Sequence, residues 1–138
     1  MLFLRKIGLM VSRQLNKSPA GDLVRTAVVG KSLMRAAAYL HISNRTLARI
    51  VGLSESSITR LAQGGYRMEP GSKSFELALL FVRLFRSLDA ITGGDAATAH
   101  AWLRAENTAL NGKPLDLITH IPGLIDVIAY LDARRAVV

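Results

Sequence analysis

Leu77, Leu80, Phe81, Leu84, Phe85 and Leu88 recur at three- and four-residue steps within Ser74–Thr92. A stripe with that period can be buried continuously only if the segment is a helix. The remainder of the chain follows the same period. Gly and Pro punctuate it, and no stretch alternates apolar and polar residues as a half-buried strand would. The expected fold class is therefore all-α. Half of the 138 residues are hydrophobic, enough for a packed interior in one compact domain or in two small units sharing a core.

Around that scaffold helix the punctuation sets the other elements. Lys17-Ser18-Pro19-Ala20-Gly21 reads as a linker, and Asp22 is placed to cap a helix through Val29 that continues past Gly30 to Leu40. Two short helices are predicted over Asn44–Val51 and Glu55–Gln63, joined at Gly52-Leu53-Ser54 with Ser54 as N-cap. A Gly- and Pro-rich loop spans Gly64–Lys73. Gly93-Gly94 ends the scaffold helix, Asp95 opens a helix carrying Trp102 and Leu103, Pro114 opens a short turn over Leu115–Thr119, and a last helix runs from Leu124 to about Arg135. Trp102 is expected to anchor the C-terminal core by its large area.

Charge divides the chain more sharply than hydropathy does. Residues 1–73 hold 12 Lys+Arg against 3 Asp+Glu, a net +9, whereas residues 74–138 hold 6 against 7, a net −1. The basic half is the nucleic-acid candidate, although charge alone attracts phosphates without reading sequence. The expected organisation is an arm and linker over 1–21, a DNA-binding unit over 22–92 and a second unit over 93–138. Met1–Val11 is apolar, but Arg5 and Lys6 interrupt it, so it reads as neither signal peptide nor membrane anchor. A free arm, an extra amphipathic helix and an upstream start codon all remain open for it. The chain contains no cysteine, which excludes disulfides, thiolate zinc sites and a cysteine nucleophile, and suits a cytoplasmic home.

A specific motif supports the charge argument. Ala48 is followed four residues later by Gly52 and six further on by Ile58, with Leu47, Val51, Leu53 and Leu61 as apolar contacts. The spacing resembles a helix-turn-helix: a small residue lets the helices cross, Gly allows a positive φ at the turn, and Ile58 packs the second helix onto the first. The second helix would then present Glu55, Ser56, Thr59, Arg60 and Gln63 to the major groove. Arg60 is the leading base reader because a guanidinium can donate two bonds to guanine, while Arg45, Arg49, Arg67 and Lys73 suit phosphate contacts. Glu55 would accept from cytosine or repel phosphates. A helical hairpin with a merely solvated basic face is the blander alternative.

Several blocks resemble the Xre/MbcA/ParS antitoxin family when taken together. They are Ile58-Thr59-Arg60-Leu61, Ser74-Phe75-Glu76-Leu77-Ala78-Leu79, Phe85-Arg86-Ser87-Leu88-Asp89-Ala90, Ala101-Trp102-Leu103, Asn111-Gly112-Lys113-Pro114-Leu115-Asp116-Leu117-Ile118, and the ending Gly123-Leu124 through Tyr130-Leu131-Asp132. Their order and spacing cover roughly Lys31 to Arg135. The resemblance implies an Xre-like DNA-binding half and a C-terminal half that binds a toxin of the RES-domain kind, which consumes NAD. It implies a type II toxin–antitoxin system in which Trp102–Val138 covers the toxin's active site and the helix-turn-helix represses the shared operon.

On the last helix Leu124, Val127, Ile128 and Leu131 form one apolar stripe, while Ile125, Ala129, Tyr130 and Ala133 leave a second face apolar too. Two such faces suggest two partners, the protein's own core and a toxin or second copy, unless both are buried in the monomer. Asp126, Asp132, Arg134 and Arg135 could pair with a toxin pocket, Asp132 and Arg135 foremost, or simply be a solvated helix end. A homodimer is expected on DNA, because helix-turn-helix repressors commonly bind paired half-sites.

No catalytic constellation accompanies these features. His41, His100 and His120 are widely separated in sequence, without a His-Glu-x-x-His pair, and the Gly-Gly pairs lack the Lys-Ser/Thr of a phosphate loop. No cofactor, metal, membrane or small-molecule substrate is expected. A stand-alone transcription regulator without a toxin is the rival reading.

Overall fold

The computed structural model describes residues 19–137. Expectations for the arm over Met1–Ser18 lie outside the described residues. The described chain is all-α, and no strand forms in it; Asn107 and Gly112 make an isolated antiparallel bridge.

Helix α1, Pro19–Tyr39, begins earlier than the linker reading allowed. Pro19 tolerates the first turn because its missing N–H would have no partner there, and Asp22 serves as a first-turn carboxylate facing the positive helix end rather than as the cap. At the other end His41 takes a left-handed φ of 53°, and the Ile42 N–H donates to the Ala37 carbonyl at 2.9 Å. That is a Schellman-type stop formed without glycine.

Three serines then start three helices. Ser43 caps α2, Asn44–Val51, accepting from the Thr46 N–H, and Ser54 caps α3, Glu55–Ala62, accepting from the Ser57 N–H. Ser72 caps α4, Lys73–Ile91, so this helix starts one residue before the predicted Ser74. Between α2 and α3 Gly52 adopts φ 70°. A side chain there would cost about 1–2 kcal/mol of left-handed strain.

The C-terminal elements are α5, Ala96–Arg104, α6, Pro114–Leu117, and α7, Ile121–Val137. Helix α7 starts three residues before the predicted Leu124, because Pro122 fits a first turn. Gly123 is obligatory for packing: an added Cβ would lie 2.1 Å from the Leu117 carbonyl oxygen. The backbones of α6 and α7 meet there.

Helix α4 is the beam of the molecule. Phe75, Leu77, Ala78, Phe81, Leu84 and Leu88 are buried along it. It packs against α1, α2, α5 and α7, so the hydrophobic core runs unbroken from Leu33 and Ala37 of α1 through Leu47 of α2 to Leu124, Val127, Ile128 and Leu131 of α7. Each fully buried leucine contributes about 1.5–3 kcal/mol relative to exposure. The two halves thereby share one core.

Polar contacts tie the same seam. Ser87 is buried on α4 and donates to the Asp132 carboxylate of α7 at 2.8 Å, and Arg83 donates to that carboxylate at 2.5 Å. Across the other flank Arg104 of α5 donates to the Leu40 and His41 carbonyls at 3.1 and 2.8 Å, satisfying orphan acceptors at the end of α1. The Tyr39 hydroxyl donates to the Gly94 carbonyl at 2.6 Å; burial, then nearby Asp89 and Asp95, raise its pKa above the ordinary tyrosine value and keep it a donor.

Candidate nucleic-acid and partner-binding faces

The first face is built on α3. Ile58 is fully buried and Ser57 nearly so, which fixes the rotation of this short helix and leaves Glu55, Ser56, Thr59, Arg60 and Gln63 exposed on one arc. The Ser54 cap holds its start through hydrogen bonds at 3.1 Å to the Ser57 N–H and 2.8 Å to the Ser57 hydroxyl. The arc predicted from the sequence is therefore a real surface.

Arg60 is steered within that arc. Its guanidinium donates to the Ser57 hydroxyl at 3.3 Å and lies 5.5 Å from the centre of the Tyr66 ring. Such a shelf restricts the arginine side chain, so less rotamer entropy is left for it to lose in any further contact. Neither Ser57 nor Tyr66 was in the predicted site; Ser57, three residues before Arg60, was within reach of a helical-spacing argument. Thr59 donates to the Glu55 carbonyl at 3.1 Å, so its hydroxyl remains able to accept.

Arg45 and Arg49 are exposed one turn apart on α2, and Arg67 is exposed in the loop after α3. Lys73, equally exposed, has a 3.9 Å surface pairing with Glu76, an interaction worth little in water. The predicted DNA set thus lies on α2, α3, the following loop and the start of α4, all in the more basic half.

The second face is built on α7. Leu124, Val127, Ile128 and Leu131 are buried against the core, while Ile121 and Ile125 stay 51% and 47% exposed and Ala129 and Ala133 are exposed beside them. Two apolar faces exist, and one is open to solvent. Asp126, Arg134 and Arg135 are also exposed. Asp132 is committed to Ser87 and Arg83 of its own chain. The Ser87 hydrogen bond, opposed by partial burial and aided by Arg83, lowers its pKa below the ordinary carboxylate value.

Trp102 packs against the core as expected, but only part of it is covered. It is half-buried, and its ring stacks on Tyr130 at 6.1 Å between centres, with the Arg134 guanidinium 4.5 Å from the Tyr130 ring centre. These side chains line an open hollow with Ile91, Thr92, Thr98 and Ala133. The tryptophan therefore shapes a surface as well as supporting the core.

Residues far apart in sequence also converge: the His41 and His100 rings lie 4.0 Å apart. The His100 Nε2 is 2.5 Å from the Tyr39 carbonyl oxygen and ties α5 to the end of α1. Among the described residues no three His, Asp or Glu side chains gather as a metal site would require. Nor is any described helix long and apolar enough to cross a membrane.

Comparison with known proteins gives these faces their context. Residues 19–83 match the family described as the antitoxin Xre-like helix-turn-helix domain, and residues 87–136 match the antitoxin Xre/MbcA/ParS C-terminal toxin-binding domain. The chain belongs to the Xre/MbcA/ParS antitoxin family. A search of curated proteins returns no match. As an Xre/MbcA/ParS antitoxin, the protein couples a DNA-binding helix-turn-helix half to a toxin-binding half. The join between the two matches falls within α4, the helix whose core both halves share.

Proposed function

We propose that this antitoxin neutralises a RES-domain, NAD-consuming toxin by laying the open face of α7 over the toxin's active site, and that α3 represses the operon encoding both. The proposed units are a DNA-binding region over 22–92 and a toxin-binding region over 93–138. The observation that carries the reading is the exposed apolar side of α7: Ile121 and Ile125 stand about half out of a helix whose Leu124, Val127 and Leu131 are fully covered. Large side chains left on a helix beside Tyr130 are typical of a surface completed by a partner.

Tyr130 and Ile125 would anchor the contact, with Ala129 and Ala133 allowing close approach and Asp126, Arg134 and Arg135 supplying charge at its edge. Asp132 would act chiefly by holding α7 to α4. On DNA, Arg60 would read a base edge and Arg45, Arg49, Arg67 and Lys73 would hold phosphates, with Glu55, Ser56, Thr59 and Gln63 completing the arc. A homodimer would double these contacts on a paired operator. The protein works here by binding, in the cytoplasm, as part of a type II system.

The test is cellular. The toxin gene expressed alone should deplete NAD and stop growth, and coexpression of the full antitoxin should restore both. Full-length Ile125→Asp should fail to restore them while keeping the fold. A neighbouring gene that is harmless alone would replace this reading with that of a stand-alone transcription regulator.

A further inference from the structure

The open faces of α3 and α7 do not account for a third feature, a trough between α1 and α4. Two hollows of about 490 and 260 Å³ share Ser32, Val82 and Arg86 and so form one continuous depression. Along α1 it extends from Val28 to Tyr39, which at 1.5 Å per residue is about 16 Å or three helical turns. That is a length for a chain segment rather than for a compact ligand.

Its chemistry is two-sided. Leu79, Val82 and Phe85 form an apolar floor, and Val28 stands 57% exposed at its edge. Arg35, Arg83, Arg86 and Arg135 rim it. Asp132 is the acid lining it, and its carboxylate already accepts from Ser87 and Arg83. Arg35 and Arg86 have no ion pair among the described residues.

We infer that this trough is a second docking surface for the toxin and receives an amphipathic helical segment with an apolar ridge and acidic flanks. The inference rests on the antitoxin reading above and extends it from the C-terminal half onto the helix-turn-helix half. A helix laid in a groove seats apolar anchors at three- and four-residue spacing, and guanidiniums on both banks favour carboxylates beside those anchors. A second copy of this chain brings a net charge of +8 to a basic rim, and a DNA backbone would leave the apolar floor without a partner. Because Arg135 and Asp132 belong to α7, the trough is continuous with the base of the proposed toxin-facing helix. One toxin could span both.

The test compares the full-length antitoxin, its Arg35→Glu/Arg86→Glu double variant and Val28→Asp. All three changed side chains are exposed or at a rim, so melting temperature checks the fold directly. The purified toxin encoded beside this gene is the probe, titrated at low and high salt, with an operator fragment and sedimentation of the free chain as controls. The double variant should bind toxin about 100-fold more weakly, as expected for two lost charge-assisted contacts, and Val28→Asp about 10-fold more weakly. Operator affinity and sedimentation should be unchanged. Toxin affinity unchanged in both variants, with the wild type binding tightly, overturns the trough alone. Failure of the wild type to bind toxin overturns the antitoxin reading and the trough together. A loss confined to operator affinity or to self-association assigns the trough to DNA or to a second copy, and also overturns the inference.

Discussion

Helices α3 and α7 each turn one side to the core and one to solvent, but they are held and equipped in opposite ways. The eight-residue α3 buries Ile58 and Ser57, takes its position from the Ser54 cap and the Gly52 turn, and exposes a polar arc. The seventeen-residue α7 buries four large aliphatics, takes its position from packing on α4 and the Asp132 clasp, and exposes isoleucines. A helix that reads DNA can be small because hydrogen-bonding side chains carry the information and the phosphates supply affinity. A helix that holds a protein partner needs apolar area outside, and therefore more area inside to keep it folded.

The contrast breaks most readily in the shared core. Leu131→Ala should destabilise the protein by about 2–5 kcal/mol. Because α4 serves both halves, thermal unfolding followed by circular dichroism and by Trp102 fluorescence should give one coincident transition. Separate melting of the helix-turn-helix would show that the halves are independent after all.

Arg60→Ala sharpens the contrast from the other side. Discrimination between operator and mismatched DNA should fall by about 1–3 kcal/mol in competition binding, while toxin binding stays unchanged. Ser54→Ala should cost about 1 kcal/mol of stability through the lost cap, and should weaken operator binding more than toxin binding because it loosens α3. The smallest effect is conditional on pH. The Asp132 pKa is lowered in the fold, so its stabilisation is present above the ordinary carboxylate range and disappears as pH falls through the lowered value. Asp132→Asn should lower stability slightly at neutral pH and remove the matching acid-side decline from the stability profile, with the fold itself kept.

Much of this architecture was legible in the sequence because it is local. The stripe of Leu77, Phe81, Leu84 and Leu88, the Ser54 cap and the Ala48–Gly52–Ile58 spacing are statements about three to ten residues, and they located α2, α3 and α4 within a residue or so. The arc of α3 followed from the same period. What escaped depends on topology. Nothing in the spacing of His41 and His100 foretells that their rings meet, and the pairing of Asp132 with Arg83 and Ser87 requires knowing that α7 lies along α4. The half-burial of Trp102 was missed for a like reason, since its stacking on Tyr130 bridges α5 and α7. The trough between α1 and α4 draws on helices read separately, and its arginines count together only once the helices are side by side.

The central claim is that the two faces act separately, α7 on the toxin and α3 on DNA. It is tested most directly by titrating purified toxin, with NAD turnover as the readout, against full-length Ile125→Asp and Arg60→Ala proteins. Arg60→Ala should inhibit turnover at the same stoichiometry as the wild type, and Ile125→Asp, folded to the same melting temperature, should leave the toxin active at that ratio. Undiminished inhibition by Ile125→Asp would contradict the account and place neutralisation elsewhere on the molecule.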